Sequence, residues 1–352
     1  MKEFHKTVLE NGFSIGSEKN MSTKVNISRL AEYCNVSEST ISRVFNEKSN
    51  VKEETREQIL AAARLLNYSP QQTARRETVP IIAVNYENLE PPSWFSTLLV
   101  NSLMHEIDKA GYIPRIFTVN ELSKIKPKFT MGGIVAVWTP DDELINTLEH
   151  LGIQLVWVGG LTSGLNSVTF DAEEAVEKSV RYLVERGHRR IMHLDSPPLA
   201  WGQTHRRLGF ETTMRKFGIS AEEWICDVAD ETAMISQERL AKVLAERNPT
   251  AIICLHEDWA PPLCHMLQKL GLKIGEDISV ITSEIPYLSQ WLGPGMTTVF
   301  KDYKQMAAAV VDQILMMRDR PETANRKVGQ LLGTTLVERN SVKNLLESVE
   351  NS

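Results

Sequence analysis

The sequence predicts an α/β protein with a small N-terminal head of three short helices and a two-lobed α/β body. Apolar residues recur at helical spacing in three short segments between residues 27 and 67. After residue 80, short apolar runs alternate with amphipathic stretches, a pattern typical of βαβ units with mainly parallel strands. This second part is about 270 residues long, more than one hydrophobic core usually covers, so two lobes are expected.

The three helices of the head follow closely upon one another. Four apolar residues from Ile27 to Cys34 lie at i, i+3, i+4 and i+7, and Asn26 can cap this first helix. A second helix is predicted over residues 37–46 and a third over residues 53–66. Two short helices joined by a tight turn and followed by a third are typical of a helix-turn-helix.

The body is predicted to alternate between strands and helices after a short polar linker over residues 69–80. The predicted segments are strand 81–86, helix 95–110, strand 133–138, helix 142–151, strand 155–158, helix 172–186, strand 190–194, helix 206–217, strand 251–255, helix 262–270 and strand 279–283.

Charge and composition narrow the classes of function. The net charge is −6, but residues 21–80 hold 9 basic and 7 acidic side chains, so a mildly basic head precedes an acidic body. This asymmetry fits a polyanion-binding module joined to a body with another task. No apolar run reaches the ~18 residues of a membrane span, and residues 1–20 lack the apolar region of a secretory signal. With 4 cysteines, we expect reduced thiols and a cytoplasmic, nucleoid-associated protein.

The second helix of the head carries the most specific motif. The letters L-A-x-x-x-x-V-S-x-x-T-x-S-R-V-x-N run from Leu30 to Asn46. With the residues around them, they make the segment 25–76 resemble the DNA-binding domain of the LacI/GalR family of bacterial transcription regulators. The resemblance implies sequence-specific binding to double-stranded operator DNA. The implied DNA contacts are Asn26, Ile27, Ser28, Ser37, Glu38, Ser39, Thr40, Ser42, Arg43, Asn46, Asn50, Val51, Gln71, Ala74 and Arg75.

The resemblance also implies separate roles for these residues. Glu38 and Ser39 occupy the variable positions that select bases, and Arg43 occupies the position of an arginine that reads a guanine edge or its neighbours. A carboxylate at Glu38 can accept a hydrogen bond from a cytosine amino group. In the family, a leucine of the hinge helix inserts into the minor groove. This chain has Glu77 there, so the same insertion is not expected in the same register.

The body resembles the periplasmic-binding-protein-like effector domain of the same family. The matching text includes residues 183–191, the R-x-x-G-F motif that begins at Arg206, residues 275–280 and residues 331–339, the last of which fits the family's final strand. The spacing is most similar to the branch of the galactose repressor and the evolved β-galactosidase repressor. The predicted domains are an extension 1–24, a helix-turn-helix domain 25–68, a hinge 69–80, an effector domain 81–341 (lobe 1 at 81–170 and 292–322, lobe 2 at 171–291 and 323–341) and a tail 342–352.

A sugar site is predicted between the two lobes. Ligands of open α/β sheets bind outside the carboxyl ends of the strands, and several tryptophans follow such ends. Aromatic faces suit the C–H faces of a sugar ring. The alternative for any one tryptophan is ordinary core packing. The predicted effector contacts, some by position in the family, are Trp94, Phe95, Trp138, Phe170, Trp201, Arg206, Glu257, Trp259 and Glu284.

Together, these features predict a sugar-responsive transcriptional repressor that binds a near-palindromic operator as a homodimer. A sugar between the lobes, with galactosides as the candidate class, would release the DNA. One alternative is a regulator that responds to a purine or to a phosphorylated partner protein. Another is a plain sugar-binding or enzymatic α/β protein with an accessory head. The sequence shows no catalytic constellation and no metal-binding spacing, so no enzyme activity, metal or cofactor is expected.

Overall fold

The structure is a computed structural model. It describes residues 27–45, 51–66, 78–82, 93–126, 130–136, 142–162, 164–195, 200–229, 234–319 and 327–346. The chain divides into two compact units, Met1–Arg75 and Arg76–Ser352, so the division falls inside the predicted hinge. The predicted extension over residues 1–24 and the position of Glu77 lie outside the described residues.

The head forms the three predicted helices. Their bounds are α1 Ile27–Tyr33, α2 Glu38–Phe45 and α3 Glu53–Leu65. Between α1 and α2, Asn35 adopts a left-handed φ of 52°, which turns the chain within four residues. Small and branched side chains from all three helices make one core, because each helix has a single apolar face. The buried members are Leu30, Ala31, Ile41, Val44, Ile59, Ala62 and Ala63.

The first lobe of the body contains a six-stranded parallel sheet in the order β11-β5-β4-β3-β1-β2. Helices α4 and α10 pack on one face, while α5 and a short 3-10 helix, Val119–Lys124, cover the other. Covering both faces explains why β4 and β5 are buried along their whole length. The elements are β1 Thr78–Ile82, α4 Trp94–Lys109, β2 Ile113–Phe117, β3 Gly133–Val135, α5 Asp142–His150, β4 Leu155–Val158, β5 Asn166–Phe170, α10 Tyr303–Asp319 and β11 Gly329–Leu332.

The second lobe repeats this plan, with strand order β12-β10-β9-β8-β6-β7 and β12 antiparallel to β10. Helices α6 and α7 cover one face, and α8 and α9 cover the other. The two sheets confirm the predicted two-lobed α/β body. The elements are α6 Ala172–Glu185, β6 Ile191–Asp195, α7 Trp201–Lys216, β7 Ile225–Asp227, α8 Gln237–Arg247, β8 Ala251–Cys254, α9 Ala260–Lys269, β9 Ser279–Ser283, β10 Thr297–Phe300 and β12 Thr335–Val337.

The chain crosses between the lobes three times, and this corrects the predicted lobe boundaries. It crosses after β5 and returns after β10, which therefore belongs to the second lobe and not the first. β11 belongs to the first lobe, and β12 follows only two residues later in the second. The predicted single last strand is thus split at Gly333 and Thr334. Glu174 fixes this crossover, because its Oε2 accepts the Thr334 amide at 2.8 Å.

Two further sequence predictions need correction. Helix α7 begins at Trp201, five residues before the predicted start, and the first strand of the body begins at Thr78 rather than residue 81. The predicted tail also belongs to the second lobe as far as the structure describes it. Its Lys343 amide donates to Ser279 Oγ at 3.1 Å, and its Leu345 amide donates to the carbonyl oxygen of Arg186 at 2.9 Å.

Candidate functional site

Helix α2 presents the polar surface of the head. Glu38, Ser39 and Arg43 are exposed, while Ile41 and Val44 on the opposite face are fully buried. Ser37 caps the helix, since its Oγ accepts the Thr40 amide at 3.2 Å. The result is a short helix with an outer face of donors and acceptors, the shape and chemistry that fit the major groove of DNA.

The end of α2 is held by the third helix. Arg56 of α3 donates from Nη1 to the carbonyl oxygen of Val44 at 3.3 Å and lies 3.7 Å from the Glu53 carboxylate. A guanidinium at this end satisfies a carbonyl that has no partner within α2 and complements the helix dipole. The orientation of α2 is therefore determined from both ends, by Ser37 and by Arg56.

The other predicted DNA contacts that the structure describes lie on or near α2. Ser28 is exposed at the start of α1, whereas Ile27 and Val51 are half-buried against the head core, so only part of each can reach a phosphate. The Thr40 hydroxyl lies 2.9 Å from Ser37 Oγ, and Ser42 is half-buried. The predicted contacts that lie outside the described residues are Asn26, Asn46, Asn50, Gln71, Ala74 and Arg75.

A cleft of about 860 Å³, including the part open to solvent, lies in the body at the carboxyl ends of the strands. Five predicted effector contacts line it, and a lysine that the sequence reasoning missed lies among them. These residues are Phe95, Phe170, Trp201, Arg206, Glu257 and Lys301. Both lobes contribute to the walls, so a bound molecule would touch both. The volume suits a small ligand.

An aromatic cluster forms one wall of the cleft. The ring centroids of Phe170 and Tyr303 are 5.4 Å apart, and those of Phe95 and Tyr303 are 5.8 Å apart. Both pairs meet edge to face, the geometry that aromatic quadrupoles favour. Tyr303 is buried behind Phe95 and Phe170, which line the cleft. This wall offers flat apolar surface to a ring-shaped ligand.

A buried ion pair closes the base of the cleft. Lys301 Nζ lies 2.6 Å from Glu257 Oε1, and the Tyr303 hydroxyl donates to the same oxygen at 3.2 Å. Burial alone would raise the pKa of Glu257, but the charge and hydrogen bond of Lys301 lower it to about 2. Burial and the adjacent carboxylate raise the pKa of Tyr303 well above its usual value. Glu257 is therefore ionised, and its Oε1 already accepts two protein donors.

The two lobes also meet beside this pair. Asp258 of the second lobe accepts the backbone amide of Trp94, the first residue of α4 in the first lobe, at 2.8 Å. The carboxylate thus lies at the positive end of a helix dipole. Burial raises the pKa of Asp258, and the Trp94 amide counteracts part of that rise.

The structure places three predicted effector contacts outside the lining of the cleft. Trp259 is completely buried in the core of the second lobe, because it turns inward from the 3-10 helix that also carries Glu257. Glu284 lies at the end of β9, where Arg339 binds both of its carboxylate oxygens at 2.8 and 3.0 Å. Trp94 lies outside the lining of the cleft and contributes its backbone amide to Asp258. A fourth predicted contact, Trp138, lies outside the described residues.

Two properties of the described residues concern membranes and metal ions. Within them, no helix is long and apolar enough to cross a membrane. Among the same residues, no group of three or more His, Cys, Asp or Glu side chains could hold a metal ion.

Comparison with known proteins finds relatives for both units. A family profile for "Bacterial regulatory proteins, lacI family" matches residues 26–71, and one for a "Periplasmic binding protein-like domain" matches residues 180–342. The chain is 26% identical over 349 residues to the HTH-type transcriptional repressor PurR of Vibrio cholerae, covering 93% of this chain and 100% of the relative. It is 24% identical to the probable HTH-type transcriptional repressor ExuR of Bacillus subtilis, covering 91% and 99%.

Solved structures agree on the fold. A Lac repressor dimer bound to operator and an anti-inducer superposes with a TM-score of 0.76 at 24% identity, covering 91% of this chain and 100% of that one. A complex of the transcriptional regulator CelR with cellobiose gives 0.65 at 20% identity, covering 90% and 100%. The head and the two-lobed body define the class of DNA-binding transcriptional repressors with a periplasmic-binding-protein-like body. The chain combines a LacI-family helix-turn-helix region with a periplasmic-binding-protein-like domain. Its function is transcriptional repression through DNA binding rather than catalysis.

Proposed function

We propose that the cleft of the body binds a sugar and that this binding weakens the hold of the head on its operator. The observation that supports a sugar most directly is the wall of the cleft, where Phe95, Phe170 and Trp201 combine with the charged groups of Arg206 and Lys301. Aromatic faces pack on sugar rings, and a few charged or polar groups orient the hydroxyls. The transcriptional regulator CelR has a similar fold, and its solved structure is a complex with cellobiose.

The coupling follows from the contribution of both lobes to the cleft. A ligand that contacts both lobes favours the closed arrangement, and a ligand shifts an equilibrium by its differential affinity for the two states. Coupling free energies of about 1–3 kcal/mol are usual, which corresponds to about 5- to 150-fold in operator affinity.

A repressor bound to the chromosome acts in the cytoplasm at the nucleoid, which is the location we infer.

The test measures operator binding by fluorescence anisotropy with DNA from upstream of the protein's own gene. The panel contains galactosides, cellobiose and other sugars, with purine bases as the alternative class. A sugar that weakens binding by about 5-fold or more would support the proposal. Tight DNA binding that no sugar changes would contradict the sugar proposal, and a response to a purine would replace it by the purine alternative.

A matched pair of arginines on α7 tests the position of the ligand. Arg206 lines the cleft, whereas Arg215 is exposed on the same helix two turns later. We expect Arg206→Ala to weaken binding of the sugar found in the screen by about 10- to 150-fold, since a hydrogen bond to a charged group contributes about 1.5–3 kcal/mol. Arg215→Ala should bind that sugar as the wild type does. Equal loss in both variants would contradict a cleft site.

We also propose that the repressor is a homodimer, with the loop between β9 and β10 in its interface. The side chains of Tyr287 and Trp291 on this loop are 89% and 76% exposed. Aromatic residues are enriched at the centre of protein interfaces, and such exposure is unusual for a tryptophan. A two-fold dimer matches a near-palindromic operator.

Analytical ultracentrifugation tests this surface. Trp291→Ala should raise the dimer dissociation constant by about 1,000-fold, since a central interface aromatic contributes about 2 kcal/mol and a two-fold dimer loses it in both subunits. The control is Leu208→Ala, which removes an exposed apolar side chain, 45% accessible, from α7. An unchanged dissociation constant for Trp291→Ala would exclude this loop from the interface.

A further inference from the structure

Trp201 belongs to the second lobe, and its side chain both lines the cleft and packs against the first lobe. It lines the cleft and packs against the first lobe's cluster around Trp157. The contact is close at Gly160, where a Cβ atom would lie 2.6 Å from Trp201 Cβ and 2.6 Å from Trp157 Cη2. A glycine at 160 therefore allows the base of the indole to approach the first lobe.

The orientation of this indole is determined within the second lobe by His205. The imidazole lies one turn further along α7, and the two ring centroids are 3.9 Å apart with 28° between their planes. Residues at i and i+4 lie on the same face of a helix, so these two rings can stack. The imidazole of His205 therefore covers one face of the Trp201 indole.

His205 is in turn held by α6. Its Nδ1 donates to Glu173 Oε1 at 2.6 Å. The side chains are 29% and 44% exposed, so this hydrogen bond contributes little free energy and acts mainly on orientation. The helices approach closely here because Gly209 lies one turn beyond His205. A Cβ at Gly209 would lie 2.8 Å from the Cα of Glu173.

We infer that His205 is a positioning residue of the effector cleft: held by Glu173, it fixes the indole of Trp201 as the wall that the two lobes share. This inference rests on the proposed function, because it concerns the wall of the proposed effector site. The residue after Glu173, Glu174, holds the crossover at Thr334. The indole is thus connected to the part of the second lobe that the chain enters from the first lobe.

Acrylamide quenching of Trp201 fluorescence tests the inference without ligand or DNA. Subtracting the signal of the same variant with Trp201→Phe isolates this one tryptophan among the 7. His205→Ala should raise the Stern–Volmer constant of Trp201 by about two- to tenfold, the range that one aromatic pair contributes to an equilibrium. His205→Phe keeps a flat ring on the indole but loses the bond to Glu173, so its Stern–Volmer constant should lie between those of the wild type and the alanine variant.

Two further variants calibrate the measurement. Gly160→Ala should expose Trp201 whatever His205 does, since the added methyl group overlaps the base of the indole. His265→Ala removes an exposed histidine from α9 and should change nothing. Unchanged quenching in His205→Ala, or equal exposure in the alanine and phenylalanine variants, would overturn the inference. Failure of the proposed function would look different: Trp201 would respond as described, yet no sugar would alter operator binding.

Discussion

Replacing Arg43 by alanine is expected to weaken specific operator binding by about 30-fold or more. Arg43 is exposed on the outer face of α2, where Ile41 and Val44 anchor the opposite face in the head core. A bidentate contact from an arginine to a guanine contributes about 1–3 kcal/mol of discrimination. A dimer on two half-sites loses this twice, so we expect about 2–6 kcal/mol, or about 30- to 20,000-fold in affinity.

Fluorescence anisotropy with operator DNA and with scrambled DNA separates base recognition from charge. Arg43→Ala should lose affinity for the operator far more than for the scrambled sequence. Arg215→Ala removes one exposed positive charge from the body and serves as the matched control. If Arg43→Ala weakens both DNAs equally and lowers the salt dependence by about one unit, Arg43 contacts a phosphate and not a base.

The fold of the head could be predicted from sequence because each helix carries its own apolar face. Ile41 and Val44, three residues apart, define the inner side of α2, and Ser37 provides its cap. In the body, β4 and β9 have the bounds that their apolar runs predict. Such runs, buried on both faces of a parallel sheet, leave little ambiguity about the strand.

The lobe boundaries could not be predicted in the same way. β10 and β11 are both short and follow ordinary patterns, but they belong to different sheets. Which sheet a strand joins depends on contacts that are distant in sequence, such as the pairing of β11 with β5 and of β10 with β9. The crossover at Thr334 is held by Glu174, which lies 160 residues away in the sequence. A local sequence pattern cannot predict such a contact.

Only some of the predicted effector contacts line the cleft, and one physical cause explains why the others lie elsewhere. A position after the carboxyl end of a strand places a residue near the cleft but does not say where its side chain points. Glu257 and Trp259 share one 3-10 helix, yet Glu257 lines the cleft while Trp259 enters the core. Lys301 follows β10 directly, and that position was the signal that could have identified it.

Replacing Lys301 by methionine should have the largest effect on stability. The ammonium is the cation that offsets the buried carboxylate of Glu257, whose side chain is 8% exposed. Removing one partner of a buried pair leaves an uncompensated charge and costs about 3–5 kcal/mol. The double variant Lys301→Met with Glu257→Gln removes both charges and leaves an amide oxygen for the Tyr303 hydroxyl. It should recover most of the loss in a urea titration.

The pH dependence distinguishes an electrostatic cause from a loss of packing. In the wild type, the pKa of Glu257 is about 2 instead of 4.5. The pair therefore contributes stability that is complete above pH 4.5 and is lost as the pH falls towards 2, in total about 3 kcal/mol. In Lys301→Met, burial without the cation raises the pKa of Glu257 above its value in the unfolded protein. As the pH falls, Glu257 is therefore protonated in the folded protein first, and the folded protein gains stability. The difference between the two proteins should shrink from pH 7 to pH 4. A constant difference would mean that the methionine disturbs packing and that the charge of Lys301 contributes nothing.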